Sequence, residues 1–116
     1  GMVRLPSRVP YHVAMEMVLT GGMYPAERMA ELGLVNRLAE EGQAREQALE
    51  LAGQIAANGP LAVPTAKRIV SESRDWRQAD MFDLQRPRIA AIFTSADAKE
   101  GATAFAEKRA PVFGGH

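Results

Sequence analysis

Residues 10–22 read PYHVAMEMVLTGG and define a helix with very little polar surface. The opening proline suits the first turn of a helix, and the closing glycine pair supplies a left-handed stop. We therefore predict a helix over Pro10–Leu19. Its polar side chains, His12, Glu16 and Thr20, recur every four positions and share one face. The remaining circumference is apolar, and such a helix needs other polypeptide around it.

The composition of the rest of the chain also favours helices. The 116 residues include twenty Ala and nine Leu against eight Val and four Ile, and Ala and Leu are the better helix formers. Proline and glycine then divide the chain into six candidate helices. The five that follow Pro10–Leu19 are predicted over Pro25–Gly33, Gln43–Ala57, Leu61–Arg74, Ala79–Phe93, and from Thr94 or Ser95 to the basic pair before Pro111.

Apolar residues at helical spacing predict which side chains point inward. Pro64 is tolerated only within the first turn of the fourth helix, whereas Pro87 should kink the fifth helix or split it in two. The residues expected inward are Ala26, Met29, Ala30 and Leu32 in the second helix, Ala44, Ala48, Leu51, Ala52 and Ile55 in the third, Ala62, Ala66, Ile69 and Val70 in the fourth, Phe82, Ile89, Ile92 and Phe93 in the fifth, and Ala98, Gly101, Ala102 and Phe105 in the sixth.

One segment, Leu34–Leu38, is predicted to be a short strand. A single strand cannot satisfy its own backbone groups, and no other segment offers a convincing edge. The predicted fold class is therefore all-α, with about six helices and at most one short strand.

Composition limits the possible functions. Fourteen basic and fourteen acidic residues cancel, so no net charge favours nucleic acid or an anionic membrane. The chain has no Cys, which excludes disulfides, thiolate metal sites and a Cys nucleophile. No apolar run reaches the roughly 18 residues of a membrane span, and the start of the sequence lacks signal-peptide features. We expect a cytoplasmic protein that binds neither nucleic acid nor membranes.

Few residues stand out as catalysts or ligands. The two histidines, His12 and His116, lie at opposite ends of the sequence, and neither a metal-ligand set nor a nucleophile elbow or phosphate-binding glycine loop is present. We assign no catalytic residue and no metal site. Lys108 and Arg109 close the sixth helix; they complement the helix dipole or, beside Phe105, bind a phosphate. Composition leaves that choice open.

The order of six motifs resembles the enoyl-CoA hydratase/isomerase (crotonase) family. Each motif is weak alone, but together they cover nearly the whole chain in register. They are RLP at 4–6, AMEMVLTG at 14–21, Ala26 with AELGLVNR at 30–37, IAANGPLA at 55–62 with Lys67, FTSADAKEG at 93–101, and AFAEKRAP at 104–111.

The resemblance implies that residues 1–116 form the C-terminal helical, trimerisation domain of a crotonase-type (ClpP/crotonase) fold, without the N-terminal spiral domain. Intact members add water to 2-enoyl-CoA thioesters in fatty-acid metabolism. Their oxyanion hole and catalytic glutamates lie in the spiral domain, so this chain alone should be inactive. The resemblance also implies roles for two residues here: Phe105 beside the acyl or pantetheine path, and Lys108 on the CoA phosphates.

The expected partners are acyl-CoA as substrate and further copies of the chain, as a trimer or hexamer of the intact protein; no separate cofactor is expected. The alternative is a non-catalytic helical protein-interaction module that binds through the apolar first helix.

Overall fold

A computed structural model describes residues 1–116 and contains six α-helices, two single-turn 3₁₀ helices and no β-strand. The 3₁₀ turns are Leu5–Ser7 and Ser73–Asp75. The chain divides into two units, Gly1–Ala48 and Leu49–His116. The helices are α1 (Tyr11–Thr20), α2 (Ala26–Glu31), α3 (Ala44–Ala56, which begins in the first unit and ends in the second), α4 (Ala62–Glu72), α5 (Met81–Phe93) and α6 (Ala96–Glu107). The all-α prediction is confirmed.

The first unit is organised around α1. Pro10 occupies the N-cap position of this helix without a side-chain cap, and Gly21, at φ +62°, ends the helix by donating its N–H to the Met17 carbonyl at 3.1 Å. The 3₁₀ turn packs against α1, and Val9 and Ala14 are the buried apolar residues of this unit. Proline and glycine therefore set the limits of α1 within one residue of the prediction.

Most of the apolar surface of α1 remains exposed. Ala14 is fully buried, but Tyr11 and Leu19 are 61% and 74% exposed, and Met15 and Val18 are also exposed. The expectation that this helix needs further polypeptide around it thus agrees with its exposure.

The predicted strand at Leu34–Leu38 is wrong. Gly33, at φ +74°, ends α2 in a left-handed conformation. Its N–H donates to the Ala30 carbonyl and the Leu34 N–H donates to the Met29 carbonyl, both at 2.9 Å. This pair of hydrogen bonds is a Schellman motif, and the residues after it continue without regular structure. No other segment of the chain is a strand, so an extended Leu34–Leu38 would leave its backbone groups unpaired.

The second unit is built on α4, α5 and α6, with α4 packed on α5 and α5 packed on α6. Pro64 lies in the first turn of α4, as predicted. Pro87 lies inside α5, which nonetheless runs unbroken, so the split is not observed. The missing N–H at Pro87 deprives only the Asp83 carbonyl of its helical partner, and Asp83 is exposed to water.

The predictions of inward-facing residues are only partly confirmed. Met29, Ala30, Leu32, Leu51, Ala62, Ile69, Ile89, Ile92, Ala98 and Gly101 are partly buried. The other expected core residues are exposed, because no neighbouring element covers them. They are Ala26, Ala44, Ala48, Ala52, Ile55, Ala66, Val70, Phe82, Phe93, Ala102 and Phe105.

Large apolar side chains remain exposed in both units. No large side chain is fully buried, and seventeen large apolar residues are exposed. The helices therefore present much more apolar surface than they cover for one another. No helix is both long enough and apolar enough to cross a bilayer.

The two helix-associated glycines Gly33 and Gly53 should respond oppositely to alanine. Gly33→Ala places a Cβ in a left-handed conformation and should destabilise the chain by about 1 kcal/mol. Gly53 lies inside α3, where an added Cβ meets nothing within 4 Å, so Gly53→Ala should stabilise by about 0.5–1 kcal/mol. Thermal loss of helical circular dichroism measures both changes. A shift in the same direction for both would contradict the assigned end of α2.

Candidate functional site

The two residues predicted to bind substrate lie at the C-terminal end of α6. Ser95 caps the start of this helix by accepting the Ala98 N–H at 3.1 Å. Phe105 falls in the last turn and Lys108 at the C-cap, three positions later. Side chains at this spacing are neighbours on a helix surface. Phe105 is 87% exposed, so within this chain it is not a core aromatic.

Lys108 has an unusual backbone conformation. Its φ and ψ of 56° and 37° are left-handed, and it is the one non-glycine residue in the chain with positive φ. The Lys108 N–H donates to the Phe105 carbonyl at 3.2 Å, and the Arg109 N–H donates to the Ala104 carbonyl at 3.0 Å. These bonds form the same helix-ending motif that Gly33 makes in α2, but with lysine where glycine is normal.

The two neighbouring cations, Lys108 and Arg109, differ in their binding partners. The Arg109 guanidinium donates to both carboxylate oxygens of Glu100, at 2.6 and 3.0 Å, and to Glu107 at 2.6 Å. The Lys108 ammonium is exposed and makes no hydrogen bond or ion pair. Arg109 is therefore occupied within the protein, and Lys108 is the cation of this pair that is free to meet an anion.

Glu100 is the centre of this ion cluster. It accepts the two Arg109 bonds and also the Val112 N–H, at 2.8 Å. The hydrogen bonds from Arg109, followed by the one from Val112, lower the pKa of Glu100 to about 2, and Glu100 in turn raises the pKa of Arg109. The chain just after Lys108 is thus tied to the middle of α6.

Asp97 holds the end of the chain in the same way. Its carboxylate is buried and accepts the N–H groups of Gly114 and Gly115 at 2.6 and 2.9 Å. The Phe113 ring lies beside Gly101, within contact distance of a Cβ built there. The Gly-Gly pair near the end of the sequence suggests a loose tail, and this prediction is wrong: the adjacent amides of Gly114 and Gly115 both bind one carboxylate.

Neither Asp97 nor Glu100 was predicted from the sequence to bind the tail. The available signal was the spacing of two carboxylates three positions apart, followed after the helix end by Pro111, which cannot continue a helix. In the structure both carboxylates face the returning tail, residues 109–116.

A second ion cluster lies between α4 and α5. Glu72 accepts from Arg68 at 2.7 Å and lies 3.2 Å from Arg88, whose guanidinium stacks 4.8 Å from the centre of the Trp76 ring. Arg68 and, less strongly, Arg88 lower the pKa of Glu72. The adjacent cavity, about 140 Å³, is lined by Thr65, Arg68, Ile69 and Arg88. Both arginines face a carboxylate, and the cluster joins two helices.

Neither the remaining apolar groove nor His12 brings a titratable acid together with a base. An apolar groove of about 450 Å³ lies between the end of α3 and the start of α4, lined by residues that include Ile55, Pro60 and Val63. His12 is exposed and packs edge-on against Tyr11. No group of three or more His, Asp and Glu residues is placed to hold a metal ion.

Comparison with known proteins gives a consistent result. A profile of the enoyl-CoA hydratase/isomerase family matches residues 1–116. Enoyl-CoA hydratase EchA19 of Mycobacterium tuberculosis is 43% identical over 111 residues, which are 96% of this chain and 42% of that protein. A carnitinyl-CoA dehydratase of Salmonella typhi is 36% identical over 119 residues, covering 99% of this chain and 46% of that protein.

A solved enoyl-CoA hydratase of Mycobacterium tuberculosis has the same arrangement, with a TM-score of 0.94 and 56% identity over 99% of this chain and 46% of that structure. The chain thus spans less than half the length of these relatives, and it matches roughly their second half.

The Glu100 carboxylate predicts a pH dependence. Its pKa in the folded chain, about 2, lies below the ordinary 4.5, so its stabilising contribution is complete above pH 4.5 and is lost as the pH falls towards 2. Glu100→Gln should remove this part of the pH dependence of the thermal midpoint between pH 2 and 7.

Glu16→Gln is the matched control, because the Glu16 carboxylate makes no hydrogen bond or ion pair, and it should keep the wild-type slope. Equal slopes for wild type and Glu100→Gln would contradict the role of Glu100 in the ion cluster.

Proposed function

The chain belongs to the enoyl-CoA hydratase/isomerase family, and we propose that it is the helical, C-terminal part of an enzyme that adds water to 2-enoyl-CoA thioesters. The match of the whole chain to the family carries this proposal. Hydration is favoured over isomerisation because the names of the two relatives above, a hydratase and a dehydratase, describe the addition or removal of water.

The chain contributes binding surface to this reaction and not the proton transfer itself. Hydration needs donors for the thioester oxygen and groups that move protons at the double bond. The two carboxylates with clearly lowered pKa values, Glu72 and Glu100, are both held by arginines. We infer that the reactive groups lie in polypeptide equivalent to the first part of the relatives, and that this chain alone is inactive.

The exposed apolar residues support packing on such polypeptide. Tyr11 and Leu19 of α1, Phe82 and Phe93 of α5, and Phe105 of α6 are all more than half exposed. Burial of surface of this kind is the main driving force for association. The same helices would also provide contacts between copies, as a trimer or a hexamer of the intact enzyme.

Phe105 and Lys108 are the proposed substrate contacts. The exposed ring of Phe105 suits an acyl or pantetheine chain, and the unpaired ammonium of Lys108 suits a CoA phosphate. Arg109 has no such role, because two carboxylates already bind it. Acyl-CoA is the substrate, and the proposal includes no further cofactor.

A free-standing interaction module is the alternative. It also accounts for the exposed face of α1, but it does not explain why the whole chain, including α6 and its tail, matches a family of CoA enzymes. No observation favours it over the enzyme.

The proposal is tested by joining the chain to the part of Mycobacterium tuberculosis EchA19 that it does not match. The joined protein should hydrate crotonyl-CoA, measured as loss of the ultraviolet absorbance of the conjugated thioester, and the 116-residue chain alone should not. Lys108→Ala in the joined protein should raise KM roughly tenfold with little change in kcat, as for the loss of one charge-assisted hydrogen bond.

Lys99→Ala is the control, because Lys99 is an exposed lysine of the same helix that also makes no ion pair. It should leave KM unchanged. Turnover by the chain alone would refute the proposal that the reactive groups lie outside it. An unchanged KM in Lys108→Ala would refute the role of Lys108.

A further inference from the structure

We propose that Glu100 is a positioning residue for Lys108: by holding Arg109 and Val112 it keeps the Lys108 backbone in the left-handed conformation from which the ammonium extends. The inference rests on the proposed function for the role of Lys108 in substrate binding. It adds a residue that does not touch the substrate and acts through the helix end.

The first support is the conformation of Lys108 itself. Left-handed φ is unfavourable for a residue with a Cβ, and most helix ends of this type carry glycine. The other positive φ angles in this chain belong to glycines, among them Gly21 and Gly33 at the ends of α1 and α2. A non-glycine residue persists in this region when its surroundings fix it there.

The second support is the set of bonds that fixes it. Three hydrogen bonds converge on the Glu100 carboxylate, two from Arg109 and one from the Val112 N–H, at 2.6–3.0 Å. Within the helix end itself, the Phe105 and Ala104 carbonyls accept the N–H groups of Lys108 and Arg109, respectively. Lys108 therefore connects a finished helix to a segment that returns along the same helix, and the left-handed turn makes this connection.

The third support is the way the tail is anchored beyond Val112. Asp97 lies three positions before Glu100, so the two carboxylates are neighbours on α6, and Asp97 binds Gly114 and Gly115. Its side chain is buried. The tail is thus held at two points, by Glu100 and by Asp97. Of the two, Glu100 binds the residues that directly follow Lys108.

The geometry also explains why only one of two adjacent cations is free. The Glu100 side chain is 24% exposed and takes both terminal nitrogens of Arg109. Such bidentate pairing with a carboxylate requires the planar guanidinium group of an arginine. Glu100 thereby pairs Arg109 within the chain, and the ammonium of Lys108 stays unpaired and available to a ligand.

The backbone effect is measured on the 116-residue chain by NMR. A left-handed residue gives a strong intraresidue nuclear Overhauser effect between its amide and α protons. Lys108 should show this signal in wild type and lose it in Glu100→Ala. Arg109→Lys keeps the positive charge but cannot make the bidentate pair with Glu100, so it should weaken the signal. Glu72→Ala removes a carboxylate that also binds two arginines, but on α4, and should leave the signal unchanged.

The functional effect is measured in the joined protein as a double-mutant cycle. Glu100→Ala should raise KM for crotonyl-CoA roughly three- to tenfold, in the range of couplings between neighbouring residues, with kcat little changed. In the Lys108→Ala background the same change should have no further effect. Arg109→Lys should follow the same pattern, which keeps the test decisive where Glu100→Ala folds poorly.

The outcomes separate the two proposals. A Lys108→Ala protein with unchanged KM refutes the proposed substrate contact. A raised KM in Lys108→Ala, with wild-type KM in both Glu100→Ala and Arg109→Lys, overturns the positioning role and leaves the proposed function intact. An equal rise in KM with and without Lys108, or an unchanged NMR signal in Glu100→Ala, also overturns it.

Discussion

The hydrophobic effect acts on this chain through faces that its own helices do not cover. Much of the surface of each helix stays uncovered, and the residues that are almost completely buried, Ala14 and Ala104, are small. Large apolar side chains on α1, α5 and α6 stay in contact with water. Water is an unfavourable environment for so much apolar surface. This imbalance, together with the share of its relatives that the chain spans, supports the proposal that these faces pack on further polypeptide.

The end of α6 contrasts with this incompleteness, because its polar groups satisfy one another within the chain. Asp97 and Glu100 bind the returning tail, and Ser95 caps the start of the same helix. The exposed side chains of Phe105 and Lys108 lie directly beside this hydrogen-bonded segment. The proposed contact between Lys108 and a phosphate would then cost less backbone freedom on binding.

Sequence alone predicted the positions of the helices well and their packing poorly. Proline and glycine act locally, so Pro10, Gly21 and Gly33 set helix limits wherever the chain lies, and Ser95 is a cap by its own chemistry. Burial depends on which elements pack together. Phe82 and Phe93 have the spacing of core residues, yet no element of this chain covers them.

The same distinction applies to the site. The family resemblance predicts Phe105 and Lys108 as substrate contacts, but the residues themselves leave the roles of Lys108 and Arg109 open. Their difference depends on Glu100, nine residues before Arg109, and on the path of the tail, neither of which has a local signal. The strand expected at Leu34–Leu38 failed for a related reason, since a strand exists only with a partner.

Hydrogen exchange of α1 tests the central claim most directly. The amides of Tyr11–Thr20 are followed by mass spectrometry in the 116-residue chain alone and after joining to the unmatched part of the Mycobacterium tuberculosis relative. The account predicts fast exchange in the chain alone and strong protection in the joined protein, because the apolar faces of α1 become buried. Exchange at the same rate in both would show that α1 is not covered by that part of the family fold and would contradict the account.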